Sequence, residues 1–292
     1  MRLYRELSTG GQPGKGLVAT QPNDVRAATA QASAWFHVQR GAGLVAVGAV
    51  CWLAHSVLML TGFFDVVAAI FAGTSGVPQA GTIGVATAQA VYLGAIAAVP
   101  IAAFVLAFGM FSYRGGTTAV TRTSPAGAEH RISERTRSKA VTTGIAFLIY
   151  GALGIVASIA WLSLSTGAAG VTGDAARTSL AVLSFAWIVA SVFLVIAAGM
   201  FTEFVRGVGF EARSPTSFGI EGLVAYSSIN LLGVLLVTIP ILLLLGGATG
   251  VPGMTFIIGI VLEFIAIPIF GIVLFSRMTW GALRLPSLLT GR

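Results

Sequence analysis

Gly73-Thr74-Ser75-Gly76-Val77-Pro78 returns in this chain as Gly167-Ala168-Ala169-Gly170-Val171-Thr172 and as Gly247-Ala248-Thr249-Gly250-Val251-Pro252. Each copy separates two long apolar runs. Glycine reaches the positive φ that a tight turn needs, and Pro or Thr after Val discourages continuation of the preceding helix. Gly73, Gly76, Gly167, Gly170, Gly247 and Gly250 are therefore expected at the tips of three helical hairpins. A second pattern supports internal duplication. Ala107-x-Gly109-Met110-Phe111-Ser112 recurs as Ala197-x-Gly199-Met200-Phe201-Thr202, and Ser124-Pro125 recurs as Ser214-Pro215, both 90 residues later. Gly, Ala and Val are abundant throughout, so chance matching is the plain alternative to a repeat.

The composition decides the solvent. Apolar residues make up 56% of the 292 residues and charged residues 9%, where a soluble domain carries about a quarter charged. Such a chain belongs in a bilayer. Apolar runs at about 41–66, 84–112, 140–165, 179–205, 223–246 and 253–277 each meet the roughly 20 residues that cross about 30 Å of hydrocarbon. The expected fold is an all-α integral membrane protein. Its six transmembrane helices form three tandem hairpins, preceded by an N-terminal amphipathic helix.

The boundaries follow. Residues 1–21, rich in Gly, Gln, Thr and Pro, read as an extended arm, and 23–40 as an amphipathic helix on or leading into the membrane, capped by Asn23 or Asp24. Together 1–40 form a cytoplasmic arm and interfacial helix. Hairpin one covers 41–112, a basic loop 113–139, hairpin two 140–205, a loop 206–222, hairpin three 223–277 and a tail 278–292. Ser124-Pro125 and Ser214-Pro215 resemble helix starts, with a hydroxyl cap before Pro at the first position. The segment from Glu129 to Lys139 is polar on all faces and runs into span three, which suggests a helix reaching out of the membrane.

Basic residues orient the bundle. Five Lys or Arg precede span one, six lie in 112–139, two lie between spans four and five, and three follow span five's partner, span six. The three Gly-turn loops hold Arg177 alone, so the distribution is sixteen to one. By the positive-inside rule both termini and the long loops are cytoplasmic, and the plasma membrane is the expected location. The net charge of +7 is thus a topological signal and calls for no nucleic-acid partner. No signal peptide is expected, because the first 40 residues are polar and mixed.

Packing between spans should rest on small residues, since lipid removes most of the hydrophobic gain between helices. Ala86, Ala90, Gly94, Ala98 and Ala102 recur every fourth residue in span two and should face a neighbour. Gly151, Gly154 and Ser158 in span three, and Ala186 and Ala190 in span four, extend the pattern. Pro100, Pro240 and Pro268 lie within spans and should bend them.

Chemistry-bearing residues in the spans are few. His55 in span one, Glu263 in span six and Asp65 near the outer end of span one are the ionisable candidates, and such groups are costly in hydrocarbon. Counting about 1.5 Å per residue from the Gly turns puts His55 and Glu263 in the same half of the membrane. A His55–Glu263 pair that relays protons or binds a cation is possible. The alternative is a Glu263 that is protonated, or hydrogen-bonded to a hydroxyl such as Thr238 or to another subunit.

Other chemistry finds no motif. The one cysteine, Cys51, excludes intrachain disulfides and thiolate zinc sites. His37, His55 and His130 are the only histidines, and the first two lie too far apart on one helix to share a haem iron. No His-Glu-x-x-His, Gly-x-Ser-x-Gly or Gly-x-x-x-x-Gly-Lys occurs. The Pro-x-acid-x-x-base signature that mitochondrial carriers bear at their odd spans is absent at all three equivalent positions, and the residues point to no family. No cofactor, no metal and no catalytic residues are expected, and the chain does not read as an enzyme. Two functions remain. The first is an accessory or scaffolding subunit of a larger membrane complex, with lipids and other membrane subunits as partners. The second is a small-solute or ion transporter whose site lies between the hairpin repeats at His55 and Glu263.

Overall fold

The computed structural model describes residues 22–74, 80–120, 133–166, 173–211, 220–250 and 253–290, and among them it is entirely helical. Helix α1 spans Pro22–Thr74, α2 Ala80–Val120, α3 Glu134–Thr166 and α4 Gly173–Glu211. A single 3₁₀ turn, Ile220–Gly222, leads into α5, Leu223–Leu245. The last rod is α6, Gly253–Val261, a π-helical turn at Leu262–Ala266, and α7, Ile267–Thr290. Six of these rods are long and apolar enough to cross a membrane, over Phe36–Phe63, Gly94–Gly115, Glu134–Ala160, Gly173–Val208, Leu223–Leu245 and Gly253–Leu283. They coincide with the six apolar runs of the sequence.

The helix ends differ in detail from expectation. The 23–40 segment is not a separate element: α1 begins at Pro22 and runs unbroken into the first span. Proline is preformed for a first helical position, so Asn23 and Asp24 fall inside the first turn rather than at its cap. Ser133 caps α3. Its hydroxyl accepts from the Thr136 backbone N–H at 3.2 Å, and its carbonyl accepts from Arg137 at 3.0 Å. Ser124-Pro125 and Ser214-Pro215 lie outside the described residues, as do Gly76, Gly167 and Gly170, while Gly73 closes α1. The third turn is described. Gly247 and Gly250 take φ of 86° and 95°. Ala248 N–H donates to Leu243 O at 2.9 Å and Gly247 N–H to Leu244 O at 3.1 Å. This pair of bonds is the Schellman closure, which satisfies carbonyls that the helix end would otherwise leave bare.

Each rod packs against the next and the last returns to the first, so that the six form a closed ring. Close backbone approach draws α1 and α2 together. A Cβ on Gly48 would stand 2.6 Å from Leu106, and one on Gly109 3.0 Å from Val45. In the next interface a Cβ on Gly151 would meet Ala103 at 3.2 Å, while Gly154 lies in ordinary contact with Pro100. Gly94, by contrast, is exposed, and a Cβ there would reach only Leu58, at 3.7 Å. Ala98 is half-buried and Ala102 fully buried; the side chains of Ala86 and Ala90 lie outside the description. The packed face of α2 is therefore Ala95, Ala102, Ala103, Leu106, Ala107 and Met110, rotated from the four-residue stripe. Strict i, i+4 spacing drifts around a helix of 3.6 residues per turn, which is why the stripe passes from exposed Gly94 to fully buried Ala102.

An aromatic layer fills the half of the ring nearer the basic loops. Trp52 is 1% exposed. It stacks on Phe275 at 5.1 Å and on Tyr150 at 5.6 Å, and meets Phe147 edge-on at 6.1 Å. Tyr226 closes the layer edge-on to Phe275 at 5.1 Å. Offset and edge-to-face ring pairs add to the stabilisation that burial provides. Buried hydroxyls bond back to their own helices: Ser56 to Trp52 O, Thr143 to Lys139 O, Thr202 to Ala198 O and Thr238 to Val234 O. At the basic-loop end Lys139 of α3 pairs with Glu203 of α4.

The positions offset by 90 residues are not treated alike. Gly109 lies in tight contact with α1, whereas a Cβ on Gly199 would meet nothing within 4 Å. Phe201 is buried and Phe111 only partly so.

Candidate functional site

Directly beyond the Trp52 layer, on the side of the Gly turns, lies a partly open cavity of about 80 Å³ to which all six rods contribute. Helix α1 brings His55 and Met59, and α2 brings Ile96 and Val99. Helix α3 brings Tyr150 and Gly154, and α4 brings Trp187, Ala190 and Ser191. Helix α5 brings Asn230 and Val234, and the π turn brings Glu263. The volume is several times the ~10–15 Å³ that a single water needs. Polar groups thus converge on one interior space at the depth where the chain is otherwise apolar.

Glu263 owes its place to an irregular backbone. Pro268 has no N–H to bond the carbonyl four residues earlier, and the π turn at Leu262–Ala266 lies just ahead of it. A π turn carries one extra residue and redirects the side chains it holds, and such turns recur at functional sites. Two glycines let the rod approach α5. A Cβ on Gly259 would stand 2.9 Å from the Leu236 backbone, and one on Gly233 would collide with the Glu263 carboxyl group. One turn earlier on the same face, Asn230 Nδ2 donates toward Glu263 Oε2 at 3.3 Å and Oε1 at 3.5 Å. Asn230 is thus the carboxyl group's partner. Thr238, the hydroxyl suggested by sequence, is occupied instead with Val234 O at 2.6 Å.

His55 is oriented by backbone. Its Nδ1 donates to the Ala95 carbonyl on α2 at 2.8 Å. A carbonyl can only accept, so Nδ1 carries the proton, and in the neutral ring Nε2 keeps its lone pair. Tyr150 is held by its stacking on Trp52. The walls therefore offer a carboxyl group, an amide, a serine and a tyrosine hydroxyl and an imidazole, each carried on a rigid rod.

Of the sequence candidates, His55 and Glu263 both line this cavity, whereas the side chain of Asp65 lies outside the described residues. Asn230, Tyr150, Trp187 and Ser191 had not been singled out. Asn230 alone had a readable signal, as a side-chain amide inside an apolar run. Among the described residues no group of three or more His, Cys, Asp or Glu side chains is placed to hold a metal ion. Comparison with protein-family models, with curated proteins and with solved structures returned no match.

Proposed function

We propose that this chain is a small-solute or ion transporter whose binding site is the central cavity lined by His55, Asn230 and Glu263. One observation carries the reading: a cavity to which every rod contributes and on which a carboxyl group, an amide and an imidazole converge. A scaffold held together by packing alone has no need of a buried carboxyl group, and such groups in membranes mark substrate and ion paths. Sites at the meeting point of helices that surround an interior space, with irregular backbone lining it, are the usual arrangement in small transporters. In the same reading the six rods are three tandem hairpins, the 23–40 segment is the amphipathic lead-in to the first, and the basic ends with both termini are cytoplasmic at the plasma membrane. Neither an enzymatic activity nor a nucleic-acid partner is part of it.

The accessory-subunit reading keeps one specific support. The fifth and sixth spans bury only 22% and 28% of their most apolar window, against 39–50% for the other four. That surface is available to lipid or to other membrane subunits. The two readings are separated by flux of the purified protein alone in liposomes. We expect solute or ion movement that Glu263→Gln abolishes; a tight, inactive protein that is needed only for assembly of a larger complex would replace transport with scaffolding.

A further inference from the structure

The charge of the cavity restricts what it holds. Glu263 is the one acidic residue among the twelve lining residues, and when ionised it carries a single negative charge. A charge at this depth is costly unless paired. One carboxylate balances one positive charge, so a monovalent cation leaves the site neutral, a divalent cation leaves it charged and an anion doubles the negative charge. The other polar groups suit a cation as well. The Ser191 and Tyr150 hydroxyls, the Asn230 carbonyl oxygen and His55 Nε2 are all acceptors.

Size and wall chemistry narrow the class further. About 80 Å³ admits a few heavy atoms or a few waters and favours small cations over bulky ones. Trp187 and Tyr150 are both in the wall, and Tyr150 is backed by Trp52. Aromatic faces attract ammonium groups, most strongly where water is excluded. An alkali ion would be better served by a shell of oxygens, and half of this lining is aliphatic or aromatic. We propose that the cavity binds a small ammonium-class cation, ammonium or a short primary alkylammonium, with Glu263 as its counter-charge and Trp187 and Tyr150 as its aromatic walls. The inference deepens the transport reading of the same cavity and rests on it.

The test is a binding titration on the full chain in lipid nanodiscs, using methylammonium chloride and reading tryptophan fluorescence and thermal stability. Ionic strength is held constant with N-methylglucamine chloride, whose cation is too large for the cavity. A saturable response to methylammonium is expected, with sodium and magnesium chlorides giving none at the same concentration. Glu263→Gln and Trp187→Leu should each weaken it at least tenfold, while Glu203→Gln, at the Lys139 pair outside the cavity, should leave it unchanged. No saturable response, an equal response to sodium, or a response that survives Glu263→Gln would overturn the proposal. Should Glu263→Gln fail to fold, the wild-type series decides by itself, because preference for sodium or magnesium over methylammonium rejects the ammonium class. Flux assays separate the two ideas. Glu263-dependent movement of sodium or protons without methylammonium binding keeps transport and rejects this ligand, whereas binding without any flux keeps the ligand and rejects transport.

Discussion

Gly233 on α5 and Glu263 in the π turn stand so close that a Cβ on residue 233 would overlap the carboxyl group. The absence of a side chain at Gly233 is what makes room for Glu263 beside Asn230, which donates to it at 3.3 Å. Replacing Gly233 by Ala therefore pushes the carboxyl group off its partner. We expect Glu263-dependent binding or flux to fall at least tenfold, with a stability loss of about 1–3 kcal/mol from overpacking. Thermal unfolding in detergent, together with the liposome assay, checks both. Wild-type activity in Gly233→Ala would mean that this contact does not position the site.

Gly48 and Gly94 make a matched pair for the α1–α2 interface. A Cβ on Gly48 meets Leu106 at 2.6 Å and the Ala102 carbonyl at 3.2 Å, whereas Gly94 has only Leu58 at 3.7 Å. Gly48→Val should lower stability by about 1–3 kcal/mol, and Gly94→Ala should stay within about 0.5 kcal/mol of wild type. Equal effects in a denaturation series would show that this part of the α1–α2 interface is not where the two helices come closest.

The aromatic layer predicts a sharp contrast between two tryptophans. Trp52 is buried among Phe147, Tyr150 and Phe275, and Trp280 is 61% exposed. Trp52→Ala should destabilise by about 3–5 kcal/mol through the void it leaves, and it removes the ring on which Tyr150 of the cavity wall is stacked. Trp280→Ala should change the unfolding midpoint little. A small effect of Trp52→Ala would argue that the layer repacks.

Orientation is tested by thiol labelling in a Cys51→Ser background. The sixteen-to-one distribution of basic residues predicts that cysteines at Ser75, Thr172 and Thr249 react with an impermeant reagent in intact cells. One at Ser133, the exposed cap of α3, should react only after permeabilisation. The opposite pattern would invert the bundle in the membrane.

Six rods were legible because hydrocarbon thickness sets a minimum apolar length, and the runs meet it without help from neighbours. His55 and Glu263 were legible for a related reason: an ionisable group in such a run is rare and costly enough to stand out. The third Gly turn was readable from its local backbone needs, and Gly247 and Gly250 do take positive φ. All of these depend on a residue and a few neighbours in the chain, or on the solvent.

What only the tertiary structure decided is how each rod is turned and at what height it meets the next. That selected Asn230 over Thr238 as the partner of Glu263: the Thr238 hydroxyl bonds Val234 O on its own helix, and Asn230 lies where its amide donates to the carboxyl group. It left Gly94 in ordinary contact with α1 and put Gly48 and Gly109 at the close approach. It also brought Tyr150, Trp187 and Ser191, ordinary residues of apolar helices, to the wall of one cavity. Rotation and depth follow from the fit of side chains between helices far apart in the chain, including a π turn that shifts the register of the last rod by one residue. A linear pattern carries the period of each helix and not the phase between two of them, so the composition of the cavity emerges only when the ring closes.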